Sequence, residues 1–403
     1  MTNENNIDAA ALCDKYQMNT YVRKDTIVRG RGSRAMCPNG NQYLDFTSGI
    51  SVVSLGHAHP AVVEAIKTQA EQLVHSSNLF YTPTVGQLAE KLSKLGLGGK
   101  VFFSNSGAEA NEAMIKLARL WGSANGGRYE IVCMRQSFHG RTLATLSATG
   151  QSKVQKGYDP LMPGFVFAEF NDLESVKAAV TDKTVGILFE CVQGEGGVIP
   201  ADPEFVQGIR ALCDEKKLLM MCDEIQCGMG RTGKMFAFEH YGVRPDLCTM
   251  AKALGGGLPL GALLATPEFS DVFTPGSHGS TFGGNPVACA AALAVLRVFE
   301  EEKVLDHVEQ YGELFRKGLE QLVEKYDGLL AVRGKGLLLG LVFAEPRAAE
   351  MLEELRNGGM LACVAGPNVV RFLPPLTLSD KDLDEGLDMI QEALSILFDE
   401  EEA

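Results

Sequence analysis

Through the middle of the chain, short apolar runs alternate with stretches of helical period. The runs are KVFFS (100–104), YEIVCM (129–134), GFVFAEF (164–170), VGILFEC (185–191), LLMMCDE (218–224) and GALLA (261–265). Each is apolar at consecutive positions, so each buries both faces. With helices between them, they predict a mostly parallel sheet covered by helices, an α/β domain. One helix is predicted over 108–122, with Met114, Leu117 and Leu120 on its apolar face. Another is predicted over 202–217, with Asp202 as N-cap and Pro203 in the first turn.

The two ends follow other patterns. Residues 33–46 read as a hairpin around Asn39-Gly40. After Pro286 the chain is mostly long helices, interrupted by the strand-like GKGLLLGLVFAE and closed by a helix after Ser379. The expected layout is a large domain over 56–295, with 1–55 and 296–403 meeting in a smaller one. A length of 403 residues, 45% hydrophobic, gives room for two lobes.

Charge narrows the function classes. A net charge of −14 argues against a nucleic-acid partner. The basic stretch 21–34 reads as a solvated hairpin edge. No apolar run reaches the roughly 20 residues a membrane span needs, and MTNENNIDAAALCDKYQ lacks a basic-then-apolar leader pattern. A cytoplasmic location is expected. The ten cysteines include no C-x-x-C and sit mostly in apolar runs. They read as small packed hydrophobes in a reducing compartment, with no metal site.

Four motifs carry candidate chemistry. CDEIQCGMGRTG (222–233) contains G-x-G-x-x-G, but Asp223 and Glu224 at the strand end would repel a pyrophosphate. SNSGAEANEAM (104–114) follows a strand and opens a helix. There Ser106, Gly107 and Ala108 present N–H groups suited to a phosphate. FHGR (138–141) offers an aromatic ring and an arginine fork suited to a carboxylate. In TMAKALGGGLPLGALLA (249–265), Lys252 stands among apolar residues with no acid beside it in sequence. Gly255 to Gly257 predict a sharp turn, with positive φ or close packing. A phosphate cup, an aromatic plate, a strand-end acid and an unpaired lysine are what pyridoxal phosphate chemistry requires. An apolar setting lowers the lysine pKa and so favours its nucleophilic form.

The run CDEIQCGMGRTGKMFAFEHYGVRPDLCTMAKALGGGLPLGA resembles the signature of class III, ornithine-type aminotransferases. YLDFTSGI, LGHAHPAVV, SNLFYT, FHGRTLATLSATG and GSHGSTFGGNP are similar to the acetylornithine branch of that family. The resemblance implies a fold-type-I transferase with a mostly parallel seven-stranded sheet, and a homodimer with shared active sites. It implies pyridoxal 5′-phosphate joined to Lys252, which also carries a proton between the substrate Cα and the cofactor. Asp223 would pair with the ring nitrogen, and Phe138 and Ile225 would sandwich the ring. Gln226 and Glu224 would lie beside it. Ser106, Gly107 and Ala108 would hold the phosphate with Thr281 of the partner subunit. Arg141, Ser280 and Tyr21 would contact substrate. Arg371, paired with Glu195, would be a second carboxylate site. Cys191, where the family usually has proline, and Val53, where a polar residue is common, depart from the pattern.

The implied reaction moves the amino group of N2-acetylornithine to 2-oxoglutarate by a ping-pong route, in arginine biosynthesis. Succinylornithine, succinyl-diaminopimelate, ornithine and 4-aminobutyrate are alternative donors. A nicotinamide-dependent oxidoreductase built on the glycine motif, and a non-catalytic scaffold, are readings from other classes.

Overall fold

The computed structural model describes residues 8–399. Residues 1–7, part of the stretch read for a leader, and the last four residues of the expected 296–403 segment lie outside them.

Seven strands form the central sheet: β1 (Val101–Ser104), β2 (Glu130–Met134), β3 (Phe165–Ala168), β4 (Thr184–Phe189), β5 (Leu219–Asp223), β6 (Leu247–Met250) and β7 (Gly261–Ala265). Their order is β1-β7-β6-β5-β4-β2-β3. β7 runs antiparallel to both neighbours, and every other pairing is parallel. In β4 to β7 every residue is buried, the pattern of strands covered on both faces. Six of the seven strands coincide with the apolar runs read from the sequence. The seventh, β6, is four residues long and interrupted by Thr249 (LCTM), too short to register as a run.

The helix after β1 spans Gly107–Ala124. Its buried face comprises Ala110, Ala113, Met114, Leu117 and Ala118, whereas Leu120 is exposed. Leu120 therefore does not belong to the apolar face assigned from sequence: residues 114, 117 and 118 recur at helical spacing, and 120 falls beside that stripe. The helix Pro203–Lys216 begins as predicted, with Asp202 at the N-cap and proline in the first turn, although the Asp202 side chain makes no capping bond.

The chain ends share one sheet. Arg34–Met36 pairs antiparallel with Gln42–Asp45, joined through Gly40 at φ 90°. Gln42–Asp45 pairs parallel with Met360–Leu361, with Leu44 opposite Met360. The basic stretch is not simply a solvated edge. Arg34 forks onto Glu385 at 2.7 Å and Asp382 at 2.9 Å, and Lys24 meets Glu353. These pairs tie the first strands to the last helices.

The glycines Gly228, Gly230 and Gly233 run through turns, and no α-helix opens after them. A Cβ on Gly230 would lie 2.5 Å from Phe299 Cε1, so this glycine serves close packing against the helix Pro286–Glu301. No element places helix N–H groups where a pyrophosphate would need them. Among the described residues no helix is long and apolar enough to cross a membrane.

Candidate active site

The carboxyl ends of β1, β2, β4, β5 and β6 converge on one cavity of about 440 Å³. Open α/β sheets bind ligands at such an edge. Each strand delivers its chemistry at or just past its end, from Asp223 at the last position of β5 to the loop after β2 that reaches Arg141.

From β1 comes the cup. Ser106 caps the following helix, its Oγ accepting the N–H of Glu109 at 3.2 Å. Gly107 keeps the cup tight: a Cβ there would lie 2.9 Å from two carbons of Ile225. Ser106, Gly107 and Ala108 all line the cavity at the positive end of an 18-residue helix. From β2 comes the FHGR loop. Gly140, at φ 139°, lets it approach Ala108 within 2.9 Å of where a Cβ would sit. The Arg141 guanidinium lies 5.4 Å from the Phe138 ring centroid, and both residues line the cavity.

From β5 comes Asp223, which is 3% exposed. Its Oδ2 accepts from Asn111 Nδ2 at 2.7 Å and binds His139 Nδ1 at 2.8 Å. Its Oδ1 accepts the N–H of Ile225 at 3.0 Å. Asn111 in turn donates to the His139 carbonyl and accepts from Thr249 Oγ1 at 2.7 Å. Three donors on one carboxylate fix its direction.

From β6 comes Lys252, itself at φ 46°, followed by Gly256 at φ 58° and Gly257 at φ 116°. A Cβ on Gly256 would lie 2.8 Å from Val295. The glycine run thus has both properties expected of it. Lys252 is isolated in sequence, but in space it stands among Glu195, Asp223 and Glu190. Among the described residues, none of these carboxylates closes to ion-pair distance. Burial, then the Arg371 charge, lower its pKa from 10.5 to about 8, against the opposing pull of the three acids.

Arg371 is 2% exposed. Its Nη1 donates to Glu195 at 2.6 Å, to Gln226 Oε1 at 2.8 Å and to the Gly194 carbonyl at 2.8 Å. The expected Arg371–Glu195 pair is therefore formed. Gln226 lines the cavity and holds both members, with Nε2 donating to Glu195 at 3.1 Å.

Two expected site residues, Glu224 and Tyr21, lie away from this cavity; Ser280 and Thr281 line another, and Thr281 is expected to serve the partner subunit's site rather than this one. Glu224 is 1% exposed and turns away, accepting the N–H groups of Ala237 and Phe238 at 2.8 and 3.0 Å. It ties the segment after β5 to the next turn, because successive residues leaving a strand point to opposite sides. Ser280 and Thr281 line a separate cavity of about 530 Å³. Ser280 reaches the first cavity only indirectly, accepting from Asn105 Nδ2 at 3.2 Å. Tyr21 is exposed, with Arg23 over its ring. Conversely, Asn105, His139 and Glu190 line the cavity without having been singled out as site residues. His139 lies inside the FHGR motif and was legible there; Asn111 lies one turn into the helix after the cup. Glu190 ends the β4 run, and burial first, then Asp223, hold its carboxyl well above the usual range. Cys191, the departure from proline, is buried; its carbonyl accepts from Ala201 N at 2.9 Å and Tyr241 OH at 3.2 Å.

A strand-end acid held by three donors, an unpaired lysine and a helix-capped cup around one cavity define a class of enzyme. The Aminotransferase class-III family profile matches residues 17–394, and the chain belongs to that family. It is 50% identical over 382 residues to the acetylornithine aminotransferase of Gloeobacter violaceus, covering 94% of this chain and 95% of that protein. It is 47% identical over 398 residues to that of Methanocaldococcus jannaschii, covering 98% and 99%. Among solved structures, the N-acetylornithine aminotransferase of Stenotrophomonas maltophilia superposes with a TM-score of 0.84 at 36% identity, covering 96% and 98%. The ornithine aminotransferase of Toxoplasma gondii, described with pyridoxal phosphate at its active site, superposes with a TM-score of 0.94 at 31% identity, covering 98% and 95%.

Proposed function

We propose that this chain is a pyridoxal-phosphate transaminase that moves the δ-amino group of N2-acetylornithine to 2-oxoglutarate. The products are N-acetylglutamate 5-semialdehyde and glutamate, a step of arginine biosynthesis. The observation that carries the reading is Lys252, an amine without an ion-pair partner in a cavity that also holds Asp223 and the Ser106–Ala108 cup.

The residues fit the cofactor. Ser106, Gly107 and Ala108 would hold its phosphate, Asp223 its ring nitrogen, and Phe138 and Ile225 its two faces. When bound, the cofactor supplies an aldehyde that takes the amine and a ring that takes up the electron pair left by proton removal. Asn111, His139 and the Ile225 N–H hold the Asp223 carboxyl at one point of the cavity. Lys252, with its lowered pKa, is suited to take and return a proton at the carbon bearing the amine. That carbon is the δ-carbon of the first substrate and the α-carbon of glutamate, so the Cα expectation holds for the second half only. The exposed Arg141 offers its fork to a substrate carboxylate. Arg371 is masked by Glu195 while a donor with one carboxylate binds; release of Glu195 would free it for the second carboxylate of 2-oxoglutarate. The cycle is ping-pong.

We further propose a homodimer, the division at residues 55 and 295, and a cytoplasmic location. The dimer is supported by Ser280 and Thr281, which lie outside this chain's own cavity and share a second one with exposed Phe80, Tyr81 and Phe282. A half-reaction screen tests the donor. Each amine is added alone to holoenzyme, and loss of the visible cofactor band is followed. Acetylornithine is expected to bleach it fastest. A faster response to ornithine, succinylornithine, succinyl-diaminopimelate or 4-aminobutyrate would overturn the substrate assignment.

A further inference from the structure

Ser48, Gly49, Ile50 and Ser51 have φ of 46°, 64°, 63° and 66°. They make a left-handed turn in which three residues carry side chains. L-residues avoid that region because Cβ meets the following carbonyl, and a β-branched residue such as Ile50 suffers most. Such strain persists only where the surroundings over-determine it. The turn is closed by Ser51 N donating to the Thr47 carbonyl at 3.0 Å and Val52 N to the Ser48 carbonyl at 2.8 Å. At its start, Asp45 Oδ1 accepts the N–H groups of Thr47 and Ser48 at 2.8 and 3.1 Å. At its end stands Arg231.

Arg231 is 1% exposed. Its Nε donates to Ser51 Oγ at 3.0 Å, and its Nη1 donates to the Leu337 and Pro374 carbonyls at 3.1 and 2.5 Å. Among the described residues no carboxylate pairs with it, and burial lowers its pKa to about 9. A buried guanidinium without a counter-ion is costly. Its three bonds connect the loop after β5, the left-handed turn and two C-terminal segments. The residue after Ser51 is Val52, which lines the cavity. Val53 Cγ1 would lie 3.5 Å from a Cβ on Gly257, in the loop that follows Lys252.

We propose that Arg231 is a positioning residue for the amino-donor pocket: by holding Ser51 it locks the left-handed turn and places Val52 on the cavity wall. This inference rests on the transaminase reading and extends it to a residue that touches neither cofactor nor substrate. Because Leu337 and Pro374 share the same guanidinium, the wall moves with the C-terminal segments.

Three holoenzyme variants test it. Ser51→Ala removes only the acceptor, Arg231→Lys keeps charge without the fork, and Arg231→Met removes all donors. Ser51→Ala and Arg231→Lys are expected to retain the visible cofactor band. Both should raise KM for acetylornithine about tenfold with kcat within about twofold, the pattern of lost uniform binding. Amide hydrogen exchange over residues 46–56 should accelerate in both. If Arg231→Met does not fold, Ser51→Ala still decides, since it leaves the bonds to Leu337 and Pro374 in place. Wild-type KM and wild-type exchange in Ser51→Ala would overturn the proposal, as would a loss confined to kcat. A wild-type enzyme inert toward every donor would overturn the transaminase reading instead, and the exchange comparison would still judge the turn.

Discussion

Lys252 in the cofactor-free protein should titrate far below an ordinary lysine. Its pKa is lowered from 10.5 to about 8, by burial first and by Arg371 second. At pH 7 roughly one amine in ten is then neutral, against about one in 3,000 for an unperturbed lysine. The pool of nucleophile rises about 300-fold without any general base. Competitive acetylation of apoenzyme across pH, read peptide by peptide in a mass spectrometer, measures this directly. Exposed lysines of the same chain serve as the internal reference. Lys252 should label with a midpoint near 8, and Arg371→Gln should move that midpoint upward, because a positive neighbour is lost while Glu195 remains. A wild-type midpoint at or above 10 would refute the argument that burial activates this amine. A midpoint near 8 that ignores Arg371→Gln would leave burial as its sole cause.

The same charge should cost stability. Lys252 has a lowered pKa when folded, so the unfolded chain binds more protons between about 8 and 10.5, and stability rises with pH through that window. Lys252→Met apoenzyme should be more stable than wild type by about 3 kcal/mol at pH 7, with the gain fading by pH 10; denaturant melts at both pH values check it. Asp223→Asn removes the anion that three donors address, and is expected to lower kcat by at least about a hundredfold and to weaken cofactor retention, read by dialysis and absorbance. Gly107→Ala places a methyl 2.9 Å from Ile225 and should weaken cofactor binding by about 1–3 kcal/mol, measured by titrating apoenzyme, while changing the melting temperature little.

Much of this site was legible before any coordinate was known. Apolar runs of five to seven residues located six sheet strands, because strands buried on both faces leave no polar interruptions. β6 escaped because its four residues are interrupted by Thr249, and Thr249 is polar for a reason: it holds Asn111. Lys252, Asp223 and the Ser106 cup each stand at or just past a strand end, so pattern and chemistry coincided there. Glu224 was misplaced because sequence adjacency to Asp223 does not tell which of two successive side chains faces the cavity. Arg371 reaches Gln226 and Glu195 across 145 and 176 residues, and no local pattern announces those contacts; only the family resemblance reached the Arg371–Glu195 pair. Asn111 and Arg231 were missed for the same reason, their partners lying 28 to 180 residues away; His139 stood in the FHGR motif, but its bond to Asp223 did not show there.

The central claim is that Lys252 is the residue that takes the cofactor. Holoenzyme is reduced with borohydride, digested and mapped by mass. The account predicts that the cofactor's mass is retained on the peptide carrying Lys252, and that Lys252→Ala retains none on any lysine. Cofactor fixed to a different lysine, or none fixed in an enzyme that still transaminates, would contradict it.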